Sequence, residues 1–111
     1  MDIQQLTTAM HHFVQSQGWY EPDSPRPQTL RNLAISLNLE ASEVLEHFQW
    51  GDLNPESGDS GRSVDLASEL ADVTLYLLQI ASLAGIDLEQ AVLTKLELNY
   101  QRNWDQDEAQ R

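Results

Sequence analysis

What most constrains this chain is where its helix breakers fall. It holds only five glycines and four prolines, and they collect between long segments whose apolar residues recur three and four positions apart, the spacing of amphipathic helices. Residues 20–28, Tyr-Glu-Pro-Asp-Ser-Pro-Arg-Pro-Gln, carry three of the prolines. Each removes an N–H and locks φ, so no continuous helix passes through them. Four helices are predicted. The first runs from about Asp2 to Gln17, with Ile3, Leu6, Met10, Phe13 and Val14 on one side and Gly18 as its stop. The second spans about Thr29 to Trp50, lined by Leu30, Leu33, Leu37, Val44, Leu45 and Phe48, and residues 51–62 then read as an exposed loop. The third runs from about Val64 to Ala84, ended by Gly85. Asp87 and Gln90 form a capping pair for the fourth, from about Leu88 to Trp104. Residues 105–111 read as a frayed polar tail. No segment alternates apolar and polar residues between hairpin turns, so the predicted class is all-α.

The chain has 111 residues, with 18 Asp and Glu against 6 Lys and Arg and a formal net charge of −12 at pH 7. A single domain, residues 1–111, is the expectation for this length, and 41% hydrophobic content separates it from disordered chains. Such acidity argues against a nucleic-acid polymer as partner, because gripping phosphates takes clustered Lys and Arg. It leaves room for a small phosphorylated substrate that arrives with a divalent cation. With no cysteine, disulfide scaffolds, Cys-ligated zinc and thiol catalysis are excluded. No run approaches the roughly 18 consecutive apolar residues of a membrane span, and no basic segment followed by an apolar stretch opens the chain. A cytoplasmic protein with no membrane partner is expected. A core this small is marginal alone, which makes oligomerisation a reasonable expectation.

Two stretches align without gaps: Glu40-Ala-Ser-Glu43-Val-Leu-Glu-His47-Phe48 and Glu69-Leu-Ala-Asp72-Val-Thr-Leu-Tyr76-Leu77. Each places carboxylates at i and i+3, Val at i+4, a ring at i+7 and an apolar residue at i+8. On a helix, i and i+3 are neighbours, so Glu40 with Glu43 and Glu69 with Asp72 form two self-repelling pairs. An acidic pair of this kind is usually solvated surface. Here both pairs interrupt long apolar helices that must pack in a small bundle, and like charges near a core raise one another's pKa unless a cation neutralises them. All-oxygen ligation suits Mg²⁺, Mn²⁺ or Ca²⁺ rather than zinc or copper. If the second helix packs on the third, one or two such ions fit between the pairs and bind a polyphosphate.

The fourth helix offers a complement. Lys95, Asn99 and Arg102 lie at i, i+4 and i+7, on one face, as a candidate phosphate clamp or, equally, as exposed residues making i,i+4 contacts with a residue such as Glu97 or Glu89. Trp19, Trp50 and Tyr76 offer flat surfaces for a base, although core or interface packing would explain them equally well. His11 and His12 are adjacent and point about 100° apart on a helix, so they read as surface or packing residues and not as one metal site. Asp52-x-Asn54-x-Glu56 lacks the Gly and the closing Glu of a calcium loop, and there is no Gly-rich phosphate loop or nucleophile elbow.

Together, Glu40-x-x-Glu43, Glu69-x-x-Asp72 and Lys95-x-x-x-Asn99-x-x-Arg102 resemble the motif set of the all-α nucleoside triphosphate pyrophosphatases, the MazG-like superfamily. Arg31-Asn32-Leu33 through Phe48-Gln49-Trp50, with Glu69 to Leu77, is most similar to its dCTP pyrophosphatase branch. The resemblance covers about residues 13–104. It implies a four-helix, bundle-like fold assembled as a homo-oligomer, commonly a tetramer built as a dimer of dimers, whose active sites draw on more than one subunit. It implies Mg²⁺-dependent hydrolysis between the α and β phosphates of a (deoxy)nucleoside triphosphate such as dCTP or a modified dNTP. By position, Glu40, Glu43, Glu69 and Asp72 are then metal ligands, and Glu40 or Glu43 activates water. Lys95, Asn99 and Arg102 hold phosphate, and Trp19, Trp50 and Tyr76 surround base and sugar.

Two departures touch the base pocket. The segment between Trp19 and Arg31 is longer and richer in Pro than in the branch, and Met10 stands where a substrate-facing His is expected. Base preference therefore stays open, with dUTP, phosphoribosyl-ATP and broad NTP pyrophosphatases as alternatives. A non-catalytic acidic helical interaction module is the alternative from another class.

Overall fold

The computed structural model describes residues 1–53 and 60–102. The middle of the predicted 51–62 loop, the last residues of the fourth predicted helix and the 105–111 tail lie outside the described residues. Within them the chain is all-helical: α1 (Ile3–Ser16), α2 (Leu30–Glu46), α3 (Ser60–Leu83) and α4 (Leu88–Gln101), with no strand among the described residues.

Local chemistry accounts for the helix starts. Asp2 accepts from the backbone N–H of Gln5 at 2.7 Å while the Gln5 side chain accepts from the Asp2 N–H at 2.9 Å, a full capping box for α1. Thr29 caps α2 by accepting from Asn32 N–H at 3.1 Å, and Asp87 caps α4 by accepting from Gln90 N–H at 3.0 Å. The last is half of the predicted pair, because the Gln90 side chain donates instead to Thr94 Oγ1 at 3.2 Å. Gly18 (φ 75) and Gly85 (φ 71) follow α1 and α3 in the left-handed conformation that ends helices and strains other residues.

Three boundaries differ from the expectation, one of them at α4, which ends at Gln101 with Arg102 already extended and so does not carry Arg102 on its helical face. Helix α2 ends at Glu46 and not near Trp50, with turns over residues 47–50, and α3 starts at Ser60 and not near Val64. One side chain links these last two changes. Arg62, in the first turns of α3, donates to the carbonyls of His47 at 2.7 Å and Asp52 at 3.3 Å. It thereby satisfies a carbonyl at the end of α2 that has no partner within its own helix.

Helix α3 is central. It packs most extensively on α2 and next on α1, and touches α4 least. The core consists of Met10 and Val14 from α1, Leu33 from α2, and Leu78 and Ala81 from α3, with Trp19, Tyr20 and Leu88 packed against it. By length and composition alone, Gly61–Leu83 of α3 matches a membrane span, at a mean hydropathy of 1.3. Its Glu69 and Asp72 lie mid-helix, where a bilayer would make two carboxylates expensive, and part of its apolar surface is covered by α1 and α2.

Leu33 is 2% exposed, the most enclosed side chain of the core. We expect Leu33→Ala to lower the unfolding free energy by about 2–4 kcal/mol, read from urea unfolding. A loss below about 0.5 kcal/mol would show that this leucine does not anchor the α2–α3 packing.

Candidate active site

Two polar stripes run along the packed helices. Asn32, Ser36, Glu40 and Glu43 follow one another at steps of four, four and three on α2, and Glu69, Asp72, Tyr76 and Gln79 at steps of three, four and three on α3. Such steps keep each set on one helix face. The helices are antiparallel, so Glu43 meets Glu69 at one end of the pair while Asn32 and Gln79 line a common cavity toward the other.

At the acidic end, carboxylate oxygens of Glu40, Glu43 and Glu69 all lie within 4.8 Å of one another. Glu40 and Glu69 are half-buried, and Oε2 of each is enclosed with no hydrogen-bond partner. Ionised carboxylates only accept hydrogen bonds, so the three cannot satisfy one another without a proton or a cation between them. Without a cation the proton stays. Glu69 is pushed from 4.5 up to about 7, first by a hydrogen bond shared with Glu43, then by desolvation, then by the charges of Glu43, Glu40 and Asp72. Burial raises Glu40 as well, with Glu43 and Asp72 adding to the effect. Asp72, one turn along α3, therefore belongs to the same field. Enclosed oxygens without partners in an all-oxygen donor set fit a hard divalent ion. His47 Nε2 stands 4.0 Å from Glu69 Oε1 at the edge of the group.

A cleft of about 590 Å³ begins at Asp72. Trp19, Tyr76, Phe13 and Gln79 line it, and the proline segment supplies one wall through Pro25, Arg26 and Pro27. Trp19 is held on two sides: Phe13 meets it edge-on with ring centroids 5.7 Å apart, and the Arg26 guanidinium lies 5.3 Å over its ring. A half-open cleft of this size, aromatic on its walls and carboxylate at one end, can hold a ring system with an attached anionic group that reaches the acidic end.

Of the residues singled out in the sequence, the structure thus brings together Glu40, Glu43, Glu69 and Asp72, and places Trp19 and Tyr76 beside them in the cleft. It does not bring Trp50, which is 91% exposed and away from the cleft. Lys95 on α4 and Arg102 just past its end are exposed, and Asn99 is half-buried; none of the three lines the cleft. Met10 lines it, while the neighbouring His11 turns to Tyr20 Oη at 2.6 Å and Ser82 Oγ at 2.7 Å. Sequence reasoning passed over Gln79, Gln28, Asn32 and Ser36, which also line the cleft. Gln79 was within reach, because an amide seven residues beyond Asp72 in the apolar run Leu77–Ile80 continues the polar stripe.

A raised carboxylate carries a signed consequence. The native state holds the Glu69 proton that the unfolded chain gives up near 4.5, so its contribution to stability is complete below that value and is lost as pH rises through about 7. The melting temperature of Glu69→Gln relative to wild type should therefore climb between about pH 5 and about pH 8 in chelator, and a divalent cation should close the gap by stabilising the wild type. A difference that stays flat with pH would exclude the shared proton.

The MazG-like family pattern matches residues 35–110. The human dCTP pyrophosphatase 1 is 33% identical over 93 residues, covering 81% of this chain and 52% of that protein. A dATP/dGTP diphosphohydrolase of Salmonella phage PMBT28 is 50% identical over 87 residues, covering 78% of this chain and 24% of that one. The chain thus spans about half the length, or less, of these curated relatives. The crystal structure of a pyrophosphatase from Archaeoglobus fulgidus DSM 4304 superposes with a TM-score of 0.73 at 32% identity, over 90% of each chain. With its four helices and its acidic pairs in place, this chain belongs to the MazG-like family.

Proposed function

We propose that the chain is a Mg²⁺-dependent nucleoside triphosphate pyrophosphohydrolase that cleaves between the α and β phosphates to give a nucleoside monophosphate and pyrophosphate. Its substrate on this reading is dCTP-like or a modified deoxynucleoside triphosphate, and its setting a cytoplasmic house-cleaning role. The observation that carries the proposal is the convergence of Glu40, Glu43 and Glu69 within 4.8 Å beside an aromatic cleft large enough for a nucleoside. The names borne by the human, phage and archaeal relatives support the reaction class. The phage relative's name also favours a second substrate reading, a purine deoxynucleotide.

Glu40, Glu43, Glu69 and Asp72 are the residues that would hold the metal, and Mn²⁺ suits the same donors. When bound, the ion supplies charge neutralisation on the triphosphate and on the departing pyrophosphate. The chain's own groups do the rest. Trp19 and Tyr76 hold base and sugar, and their walls keep water from that part of the cleft. A carboxylate left free of ligation, Glu40 or Glu43, orients the attacking water and takes its proton. The water oxygen bonds to phosphorus as the bridging P–O bond breaks, and that electron pair leaves with pyrophosphate.

The proposal extends to assembly. Lys95, Asn99 and Arg102 as phosphate ligands, and Trp50 as a base contact, do not line the cleft of their own chain. Val92, Leu93 and Leu96 of α4 also remain exposed, as do Leu39, Leu45 and Val64. An apolar surface of this extent fits an interface. In a homo-oligomer, a tetramer built as a dimer of dimers, these residues complete a neighbouring copy's site.

Incubation with a panel of deoxynucleoside triphosphates and Mg²⁺ should yield monophosphate and pyrophosphate. Diphosphate with orthophosphate would place the cut at the wrong bond, and no product with any nucleotide, together with no Mg²⁺-dependent thermal shift, would favour a non-catalytic module. Glu43→Gln and Asp72→Asn should each lower kcat by about two orders of magnitude or more with helical circular dichroism unchanged. Light scattering should report an oligomer, and a monomer with full activity would refute the shared site.

A further inference from the structure

Gln79 is a polar side chain 3% exposed, the one buried polar residue among those described. Its orientation can be deduced from a chain of hydrogen bonds. Gln28 Nε2 donates to the backbone carbonyl of Arg26 at 2.7 Å, and only an N–H can face a carbonyl. Gln28 must therefore turn its Oε1 to Gln79, and Gln79 answers with Nε2 at 2.8 Å. The same Nε2 donates to Tyr20 Oη at 3.2 Å. Tyr20 Oη also pairs with His11 Nδ1 at 2.6 Å, and His11 Nε2 pairs with Ser82 Oγ at 2.7 Å, the His11 tautomer setting which partner donates. Desolvation and the neighbouring His12 hold His11 below its ordinary value, and burial raises Tyr20. Both N–H bonds of the Gln79 amide are thus committed. Its Oε1 accepts no hydrogen bond among the described residues and is not enclosed, on a side chain that lines the cleft.

Position gives this acceptor a meaning. Gln79 follows Asp72 by seven residues on α3, about 10.5 Å along the axis at 1.5 Å per residue, with Tyr76 between them on the same face. A nucleoside whose phosphates lie at the carboxylates and whose ring lies against Tyr76 extends its base edge toward Gln79. We propose that Gln79 is a specificity-determining residue, its carboxamide locked so that Oε1 accepts a hydrogen bond from the exocyclic amino group of a base and disfavours a base with a carbonyl in that place. Gln28 is the positioning residue that prevents the amide from turning over. The proposal rests on the nucleotide reading of the cleft. A fixed acceptor facing a carbonyl leaves two lone pairs opposed and unpaired, which is why buried polar groups discriminate more sharply than apolar ones.

Two substrate pairs exchange that amino group for a carbonyl, with the adjoining ring nitrogen changing from acceptor to N–H donor: dCTP against dUTP and dATP against dITP. In whichever pair the wild type hydrolyses, kcat/KM for the amino member should be higher. In Gln79→Met, which keeps the length of the side chain and removes its hydrogen bonds, the ratio within the pair should fall about tenfold or more. It should also fall in Gln28→Ala, where Gln79 is intact but free to turn. A ratio measured within one preparation is independent of the folded fraction, and a residue that merely packs would slow both members alike. Calorimetric binding of dCMP and dUMP, or of dAMP and dIMP, in chelator should lose its preference in the same variants, which reads the base contact without turnover. An equal wild-type rate for both members, or an unchanged ratio in both variants, would overturn the role of Gln79 and leave the pyrophosphohydrolase reading standing. Failure of the wild type to hydrolyse any nucleotide would refute that reading instead, and loss of the nucleotide preference in the binding data would still be required of Gln79.

Discussion

The antiparallel packing of α2 on α3 is the contact on which the rest of the molecule depends, and it works against a repulsion. Packing that buries Leu33 on α2 and Leu78 on α3 accompanies the close approach of two helices whose facing stripes each carry a carboxylate pair. The charges would separate if they could, since like charges cost more as water is withdrawn. Packing denies them that freedom, so the conflict is relieved by a proton on Glu69 or by a cation among Glu40, Glu43 and Glu69. A binding site of this kind stores its affinity as repulsion in the empty state, and the energy that keeps it loaded comes from hydrophobic burial elsewhere in the helix pair.

The cleft draws on the same two helices but needs a third element to close it. The prolines that forbid a helix between α1 and α2 also make the intervening segment stiff, with φ set at three positions. That stiffness lets Pro25, Arg26 and Pro27 serve as a wall, and lets Arg26 stay over the Trp19 ring. Behind the wall, hydrogen bonds run from the Arg26 carbonyl through Gln28, Gln79, Tyr20 and His11 to Ser82. They join the proline segment, α1 and α3 by directional contacts where the apolar core is thin. Stiffness and an ordered hydrogen-bond network in one place are what a surface needs to distinguish ligands that differ in their hydrogen-bonding groups.

The charged and apolar surfaces of the single chain point in one direction. Lys95 of α4 does not line the cleft, and leucines and valines lie open on α2, α3 and α4. Few side chains are buried among the described residues, as expected of a small chain with a thin core. In the proposed homo-oligomer, association would supply further burial, and a polyphosphate site distributed between copies would give the exposed Trp50 and Lys95 a task.

How much of this was legible in the sequence depends on the range of the physics involved. Helix content, the stops at Gly18 and Gly85, the proline break and the pairing of Glu40 with Glu43 and Glu69 with Asp72 all follow from contacts within a few residues, and each is legible in the sequence. The ends of α2 and α3 were misplaced because Arg62 reaches back to the His47 carbonyl across residues whose spacing carries no such signal. Trp19 and Trp50 look alike in the sequence, yet one lines the cleft and the other is exposed. Gln79 was overlooked because its role depends on Gln28, 51 positions away. Composition and periodicity by themselves determined an acidic, all-helical chain with two like-charged pairs, since a helix's own hydrogen bonds dictate which side chains share a face. Only the tertiary structure decided that Glu43 stands against Glu69 and that an amide faces the cleft, because the register between two helices is set by side chains far apart in the chain that meet only once it is folded.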